Sequence, residues 1–320
     1  MRAVYRTQYG PPEVLRIEER TPPTPRPGEL LVKVRATTVN RTDCGSLWGK
    51  PFVFRFFTGL PRPRHTATGT DFAGDVVELG EGVSGFARGD RVFGFDDNVA
   101  GTHAEFVCFS TRKGVAKIPD GVPYEQAAAS LEGAHYALNF MRKVTLGSGC
   151  RVLVNGATGA IGSAAVQLLK LRGAHVTAVC ASPHVALVAS LGADRVIDRT
   201  QEDFTQQDDL YDFVFDAVGK STFGACKRIL VARGVYISSE LGPGGQNLAF
   251  ALLSPLSRGK RVVFPLPLDI PGSVVHMQSL LALGKWKPLI DRVYPLEQIA
   301  EAFRYVASGQ KIGNVVLKIA

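Results

Sequence analysis

The segment that most constrains this chain is RVLVNGATGAIGSAAVQLL, beginning at Arg151. A β-branched strand over 151–155 runs straight into Gly156, Gly159 and Gly162, and an amphipathic helix over 161–171 follows. A dinucleotide pyrophosphate must lie close to the backbone at a helix N-terminus, where free N–H groups and the helix dipole favour an anion. A side chain at Gly159 would hold the phosphate away. Gly162 lets the helix pack tightly on the strand. Thr158, Ala160 and Ile161 complete the turn, and all six residues are cofactor-binding candidates. The spacing is G-x-x-G-x-x-G rather than G-x-G-x-x-G, and a glycine triplet alone is a weak signal. Here it has a strand before it, a helix after it, and a second strand over 175–180.

The same alternation continues. A helix is expected over 125–142 and another over 185–191, closing at Gly192. Strands are expected over 195–198, 213–216, 234–238 and 261–264. Strands alternating with helices predict an α/β fold with a parallel, doubly wound sheet. Residues 1–118 read differently. Short apolar runs at 30–34, 75–79 and 91–95 sit between Gly, Pro and Asp turns, which predicts a compact barrel-like β domain. Helices over 277–283 and 296–308 and a strand over 314–319 break the alternation and are expected to return to the first domain. A chain of 320 residues suits two domains. The boundaries place one at 1–120 plus 265–320 and the other at 121–264. Between them in character is the stretch 48–65, where Phe52, Phe54, Phe56 and Phe57 lie between Pro51 and Pro61. These aromatics either line an apolar pocket or fill a core.

Charge and cysteine usage narrow the partners. The formal charge is +8, yet the basic residues are scattered, with Arg55, Arg62 and Arg64 the densest group. That pattern speaks against nucleic acid and permits an anionic ligand such as a phosphorylated cofactor. The five cysteines form no C-x-x-C, so neither a zinc lobe nor a disulfide framework is signalled, and a reducing, cytoplasmic setting is expected. No signal peptide is read at the start of the chain, and no apolar run reaches a membrane-spanning length. The choice of dinucleotide turns on the end of the second strand. NAD binders usually carry an acid there for the ribose 2′-OH. Here no carboxylate occurs between His175 and Gly192. Ser182 and Arg199, with His184 nearby, offer donors and positive charge to a 2′-phosphate, so NADP(H) is favoured over NAD(H). Arg199 could instead pair with Asp198 or Glu202.

Together these motifs resemble the medium-chain dehydrogenase/reductase family, in its zinc-free, quinone oxidoreductase-like branch. The resemblance runs through ATTVNRTDC at 36–44, GTDFAGDVVELGEGVSGFARGDRVFG at 69–94 and GTHAEF at 101–106. It continues through the glycine turn, LGADRVID at 191–198, YDFVFDAVG at 211–219, YPLEQIAEAF at 294–303 and IGNVVLKI at 312–319. It implies a GroES-like β-barrel catalytic domain built from both chain ends, with an inserted Rossmann domain and the cofactor in the cleft between them. Homo-oligomers, commonly dimers, are also implied. Val218, in the YDFVFDAVG segment, joins the cofactor set.

Zinc members carry a Cys shortly before Thr-Asp, and a later Gly-His-Glu. This chain has Asn40 ahead of Thr42 and Asp43, and Gly69–Thr70–Asp71 at the second place. An Asn amide is a poor zinc ligand and Thr70 does not replace His, so no metal is expected. Cys44 and His65 lie out of register. Short-chain dehydrogenases need Tyr-x-x-x-Lys, which none of the candidate tyrosines has.

The resemblance puts Asn40 and Asp43 beside the nicotinamide. Where the family usually reads Gly-x-Thr, this chain reads Gly133–Ala134–His135–Tyr136. His135 and Tyr136 are therefore candidate proton donors, with a structural role for His135 as the alternative. His103 reads as structural, and Asn314 stands where Lys is usual. The implied activity is hydride transfer to a small hydrophobic quinone or α,β-unsaturated carbonyl. A metal-free alcohol dehydrogenase or carbonyl reductase is the second reading, and a non-catalytic dinucleotide-binding protein the third.

Overall fold

The computed structural model describes residues 1–52, 55–98, 100–254 and 259–320. Short apolar runs at a two-residue period, broken by Gly and Pro, make the first part of the chain β-rich. β1 (Arg2–Tyr5) and β2 (Arg16–Glu19) form an antiparallel pair. The long strand β3 (Glu29–Val39) leads directly into α1 (Arg41–Trp48). Asp43, at the third position of α1, accepts the Asn40 N–H at 2.8 Å and so fixes the corner between strand and helix. The one-turn α2 (Arg55–Thr58) follows, then β4 (Asp71–Leu79), β5 (Arg91–Phe95), β6 (Phe106–Ser110), β7 (Gly114–Lys117) and α3 (Tyr124–Ala128).

From residue 132 the strand–helix alternation takes over. The elements are α4 (Glu132–Arg142), β8 (Arg151–Asn155), α5 (Ala160–Leu171), β9 (His175–Cys180), α6 (Val185–Ser190) and β10 (Arg195–Asp198). They continue with β11 (Tyr211–Asp216), α7 (Phe223–Cys226), β12 (Leu230–Ser238), α8 (Gln246–Leu253) and β13 (Arg261–Val263). Their six strands pair in parallel in the order β10-β9-β8-β11-β12-β13. The order reverses between β8 and β11, and ligands of such sheets bind outside the strand C-termini at that reversal. Buried Leu153, Val179, Val214 and Tyr236 fill the core beside the sheet.

The last segment holds α9 (Ile270–Ala282), β14 (Ile290–Pro295), α10 (Ile299–Ala307) and β15 (Asn314–Lys318). β15 pairs antiparallel with the end of β3, completing a sheet ordered β14-β15-β3-β4-β5-β7, with β6 also on β3. Val32, Val34, Phe72, Phe303 and Val315, all essentially buried, form its core.

The chain divides into two units, Met1–Glu132 with Asp269–Ala320, and Gly133–Leu268. The first border falls later than residue 120 because α3 packs on β3 and β4 of the first unit. The expected single helix over 125–142 is two helices. Ser130 interrupts it: its hydroxyl donates to the Gln126 carbonyl at 2.6 Å and accepts the Trp286 indole N–H at 2.9 Å. Side-chain bonding of this kind competes with a continuous helix. α9 begins earlier than expected, since Asp269 accepts the Gly272 N–H and Pro271 suits a first turn.

Candidate functional site

The glycine turn separates its three glycines by role. Gly156 has φ +82°, a conformation that L side chains rarely adopt, and a Cβ there would lie 2.8 Å from the Val218 Cβ. A Cβ on Gly162 would lie 2.1 Å from the Gly156 carbonyl oxygen, so this residue is small because helix and turn touch. Gly159 is different. Its φ is an ordinary −73°, and an added Cβ would meet nothing nearer than the Gly156 oxygen at 3.5 Å. The space beyond Gly159 is open. No side chain caps α5, so the N–H groups at Ala160, Ile161 and Gly162 lack helical acceptors. Thr158, Gly159, Ala160 and Ile161 are all partly exposed. This cradle fits a pyrophosphate.

Asp216 braces the strand ends beside it. Buried, it accepts from the Asn155 amide at 3.0 Å, the Gly219 and Ser221 N–H groups, and the Tyr236 hydroxyl at 2.8 Å. Val218 follows it, next to Gly156.

No carboxylate occurs in the chain between His175 and Gly192, yet β10 lies in parallel register with β9, and Asp198 sits opposite Cys180. A neighbouring strand thus supplies the carboxylate. Hydrogen bonds, first from the Ser182 hydroxyl and then from Thr200, hold Asp198 below the usual carboxylate range. Thr200 N–H and hydroxyl donate to its Oδ1 at 2.9 and 2.7 Å. Arg199 is anchored by its N–H on the Cys180 carbonyl, and its exposed side chain lines, with residues 200–204, a cavity of about 330 Å³.

On α4, Gly133 lies against Ala160: a Cβ at 133 would fall 2.8 Å from the Ala160 carbonyl. His135 is 1% exposed. The Asn139 amide donates to the His135 carbonyl at 2.9 Å and lies 3.2 Å from its ring Nε2, while Asn139 Oδ1 accepts the Leu268 N–H. Tyr136 is partly exposed and edge-on to His135. His135 is thus packed into its own unit.

The first unit buries a polar cluster where β3 meets α1. The Asn40 amide donates to Thr38 Oγ1 at 2.7 Å and to Asp71 Oδ2 at 3.3 Å. Asp71 also accepts the Thr38 N–H at 2.8 Å. His103 has its Nε2 2.9 Å from the Thr38 carbonyl, which can only accept, so Nε2 carries the proton and Nδ1 accepts from Thr68. Burial pushes this imidazole down to about 4, so it stays neutral and structural. Burial pushes Asp71 up to about 6 and raises Asp43. Glu132, which the sequence reading passed over, accepts the Thr42 hydroxyl at 2.8 Å and the Thr70 hydroxyl at 3.0 Å. Burial, then the charges of Asp43, Asp97 and Asp71, raise it well above the carboxylate range. Lys311 belongs to the same cluster and is lowered to about 8, by burial against the pull of Glu132.

Other candidates lie apart. Asn314 is buried and clamps the Leu289 carbonyl through its amide at 3.0 Å. Cys44 is buried and its thiol is pushed up to about 12, while His65 is exposed. Phe52 and Phe56 are exposed and edge-on at 5.9 Å. Phe54 and the side chain of Phe57 lie outside the described residues. Among the described residues, no three His, Cys, Asp or Glu side chains converge to hold a metal ion, and no helix is long and apolar enough to cross a membrane.

Comparison with known proteins gives two family matches. An alcohol dehydrogenase GroES-like domain matches residues 26–120, and a zinc-binding dehydrogenase domain matches residues 191–317. A chloroplast envelope quinone oxidoreductase homolog of Arabidopsis thaliana is 31% identical over 310 residues, covering 92% of this chain and 91% of that protein. An NADPH-dependent alkenal/one oxidoreductase of the same plant is 30% identical over 331 residues, covering 99% of this chain and 79% of its own. The solved structure of the quinone oxidoreductase from Coxiella burnetii superposes with a TM-score of 0.87 at 25% identity, covering 100% of this chain and 99% of that one.

Proposed function

From its membership of the medium-chain dehydrogenase/reductase family, in the quinone oxidoreductase-like branch, we propose that this chain is a zinc-independent, NADP(H)-preferring reductase of quinones or α,β-unsaturated carbonyls. The observation that carries the reading is the open, uncapped helix start at Gly159, a cradle shaped for a pyrophosphate. The nicotinamide, when bound, supplies a hydride. The chain's own residues do the rest. Ala160, Ile161 and Gly162 N–H groups hold the pyrophosphate, with Thr158 beside them and Val218 as an apolar wall next to Gly156. Ser182 and Arg199 meet a 2′-phosphate. Asp198 opposes it, so the preference for NADP(H) is modest and NAD(H) is also accepted.

Zinc independence rests on donor chemistry. The Asn40 amide is committed to Thr38 and Asp71, and the Thr70 hydroxyl to Glu132. Neither is a zinc ligand of useful strength. Without a Lewis acid, a substrate that accepts hydride readily is the one that suits the site. The alkenal/one reductase and the quinone oxidoreductase similar to this chain are named for such substrates. A carbonyl reductase reading needs His135 or Tyr136 as the acid, and the packing of His135 against Asn139 counts against it. A homo-oligomer in a reducing, cytoplasmic setting completes the proposal, in keeping with five free cysteines.

The test is NADPH oxidation against a quinone, an enone and a simple aldehyde, with and without a chelator, repeated with NADH. Chelator-insensitive turnover of quinone or enone, faster with NADPH, is expected. Turnover confined to the aldehyde, or lost on chelation, would overturn the reading.

A further inference from the structure

We propose that Glu132 is the proton donor that completes the reduction; this rests on the reductase reading above. Hydride addition to the electrophilic carbon of an enone moves the π electron pair onto the oxygen side, leaving an enolate. A proton must then be added at the α-carbon or the oxygen. The Glu132 O–H bond breaks, the new C–H or O–H bond forms, and the carboxylate left behind is reloaded from solvent.

Three observations single out Glu132 from its acidic neighbours. The first is how the carboxyls are held. Asp43 accepts the Asn40 N–H and Asp71 accepts the Thr38 N–H, and backbone donors cannot turn round. Glu132 is bonded by two hydroxyls, from Thr42 and Thr70. A hydroxyl rotates to donate or accept, so Glu132 can hold or release a proton without breaking the backbone network. The second is position. Thr42 lies between Asn40 and Asp43, the pair that the resemblance sets beside the nicotinamide, and Thr70 adjoins Asp71. The third is the charge around it. Glu132 is 7% exposed, and the groups facing it are Asp43 on α1, Asp71 on β4, Asp97 after β5 and Lys311 before β15. The three acids favour its neutral form before the reaction. Lys311 balances the carboxylate that remains after it. Burial and these acids hold Glu132 protonated above the usual carboxylate range.

The experiment compares the parent protein with Glu132→Gln, which keeps the shape, accepting from one threonine hydroxyl and donating its amide N–H to the other, and with Glu132→Asp. Three readouts are taken: NADPH affinity by fluorescence, the pH profile and solvent isotope effect of enone reduction, and the infrared C=O stretch of protonated carboxyls without cofactor. E132Q should lose about 10²–10⁴-fold in enone turnover, keep its NADPH affinity, and lose the alkaline fall of rate that marks an acid. One protonated-carboxyl band present in the parent at neutral pH should vanish. E132D should keep a pH-dependent limb at a reduced rate. Enone turnover of E132Q within threefold of the parent, with an unchanged pH profile, overturns the proposal. So does an infrared titration showing Glu132 already ionised at neutral pH. If the parent reduces no member of the panel, the reductase reading fails instead, and the infrared titration still decides whether Glu132 keeps its proton.

Discussion

Two alanine substitutions three residues apart should fail in opposite ways. In Gly162→Ala, the new methyl meets the Gly156 carbonyl oxygen at 2.1 Å, its carbon at 2.8 Å and the Ala157 Cα at 2.9 Å. All three are backbone atoms, so no rotamer relieves the contact and the turn itself must shift. Overpacking of this kind costs about 1–3 kcal/mol, against which better helix propensity returns up to about 1 kcal/mol. At about 2–4 °C per kcal/mol, a fall of several degrees in Tm is expected. In Gly159→Ala, the methyl meets only an ordinary contact at 3.5 Å on a backbone any residue can adopt. Stability should stay within about 1 kcal/mol of the parent. The methyl instead occupies the approach of the pyrophosphate. Losing one charge-assisted hydrogen bond, worth about 1.5–3 kcal/mol, weakens binding about 10- to 150-fold. Thermal melts without cofactor and NADPH titration by fluorescence read the two effects separately. NADPH binding to G159A at parental affinity, or a melt lowered as far as that of G162A, would refute the reasoning.

Three further outcomes are expected. Arg199→Glu should weaken NADPH but not NADH binding, and Asp198→Asn should tighten NADPH, both read from the ratio of the two dissociation constants; an unchanged ratio in both variants removes these residues from the choice. Asp71 is raised in the folded state, so its contribution to stability is present below about pH 4 and lost as pH rises through about 6. Asp71→Asn should therefore gain on the parent by up to about 3 kcal/mol between those values and neutral pH, seen in urea unfolding at several pH values; a pH-independent difference would contradict it. Asp216→Ala strands donors from Asn155, Gly219, Ser221 and Tyr236, and at about 1–3 kcal/mol for each buried group left unpaired, calorimetry should show a loss of about 3 kcal/mol or more.

Periodicity made the second unit readable. Its β-branched strands and the Gly156–Gly162 turn carry local signals that tertiary contacts do not overrule. What escaped notice depends on neighbours distant in sequence. Asp198 ends the third strand, and only the register of β10 on β9 brings it beside Ser182. Glu132 looked like one more polar residue in an Ala-rich helix. Its meaning comes from the break at Ser130, stabilised by Trp286 some 150 residues later, and from hydroxyls on two other segments. Thr70 and Asp71 were noticed only as an unsuitable zinc pair. Their role as partners of Glu132 and Asn40 is a matter of three-dimensional packing that spacing cannot express.

The pairing of β15 with β3 also governs how the protein comes into being on the ribosome. One edge of β3 is covered in two halves: residues 29–33 by β6, and residues 36–39 by β15. The first cover follows soon in synthesis, but Val39 must wait for Val315. At about 5–20 residues per second, the interval is roughly 14–55 s, during which an unpaired strand edge lies open to other chains. That edge leads straight into Asn40 and Asp43. A nascent chain stalled before residue 314 therefore holds the whole glycine turn yet leaves residues 36–39 of β3, which lead into Asn40, without their partner strand.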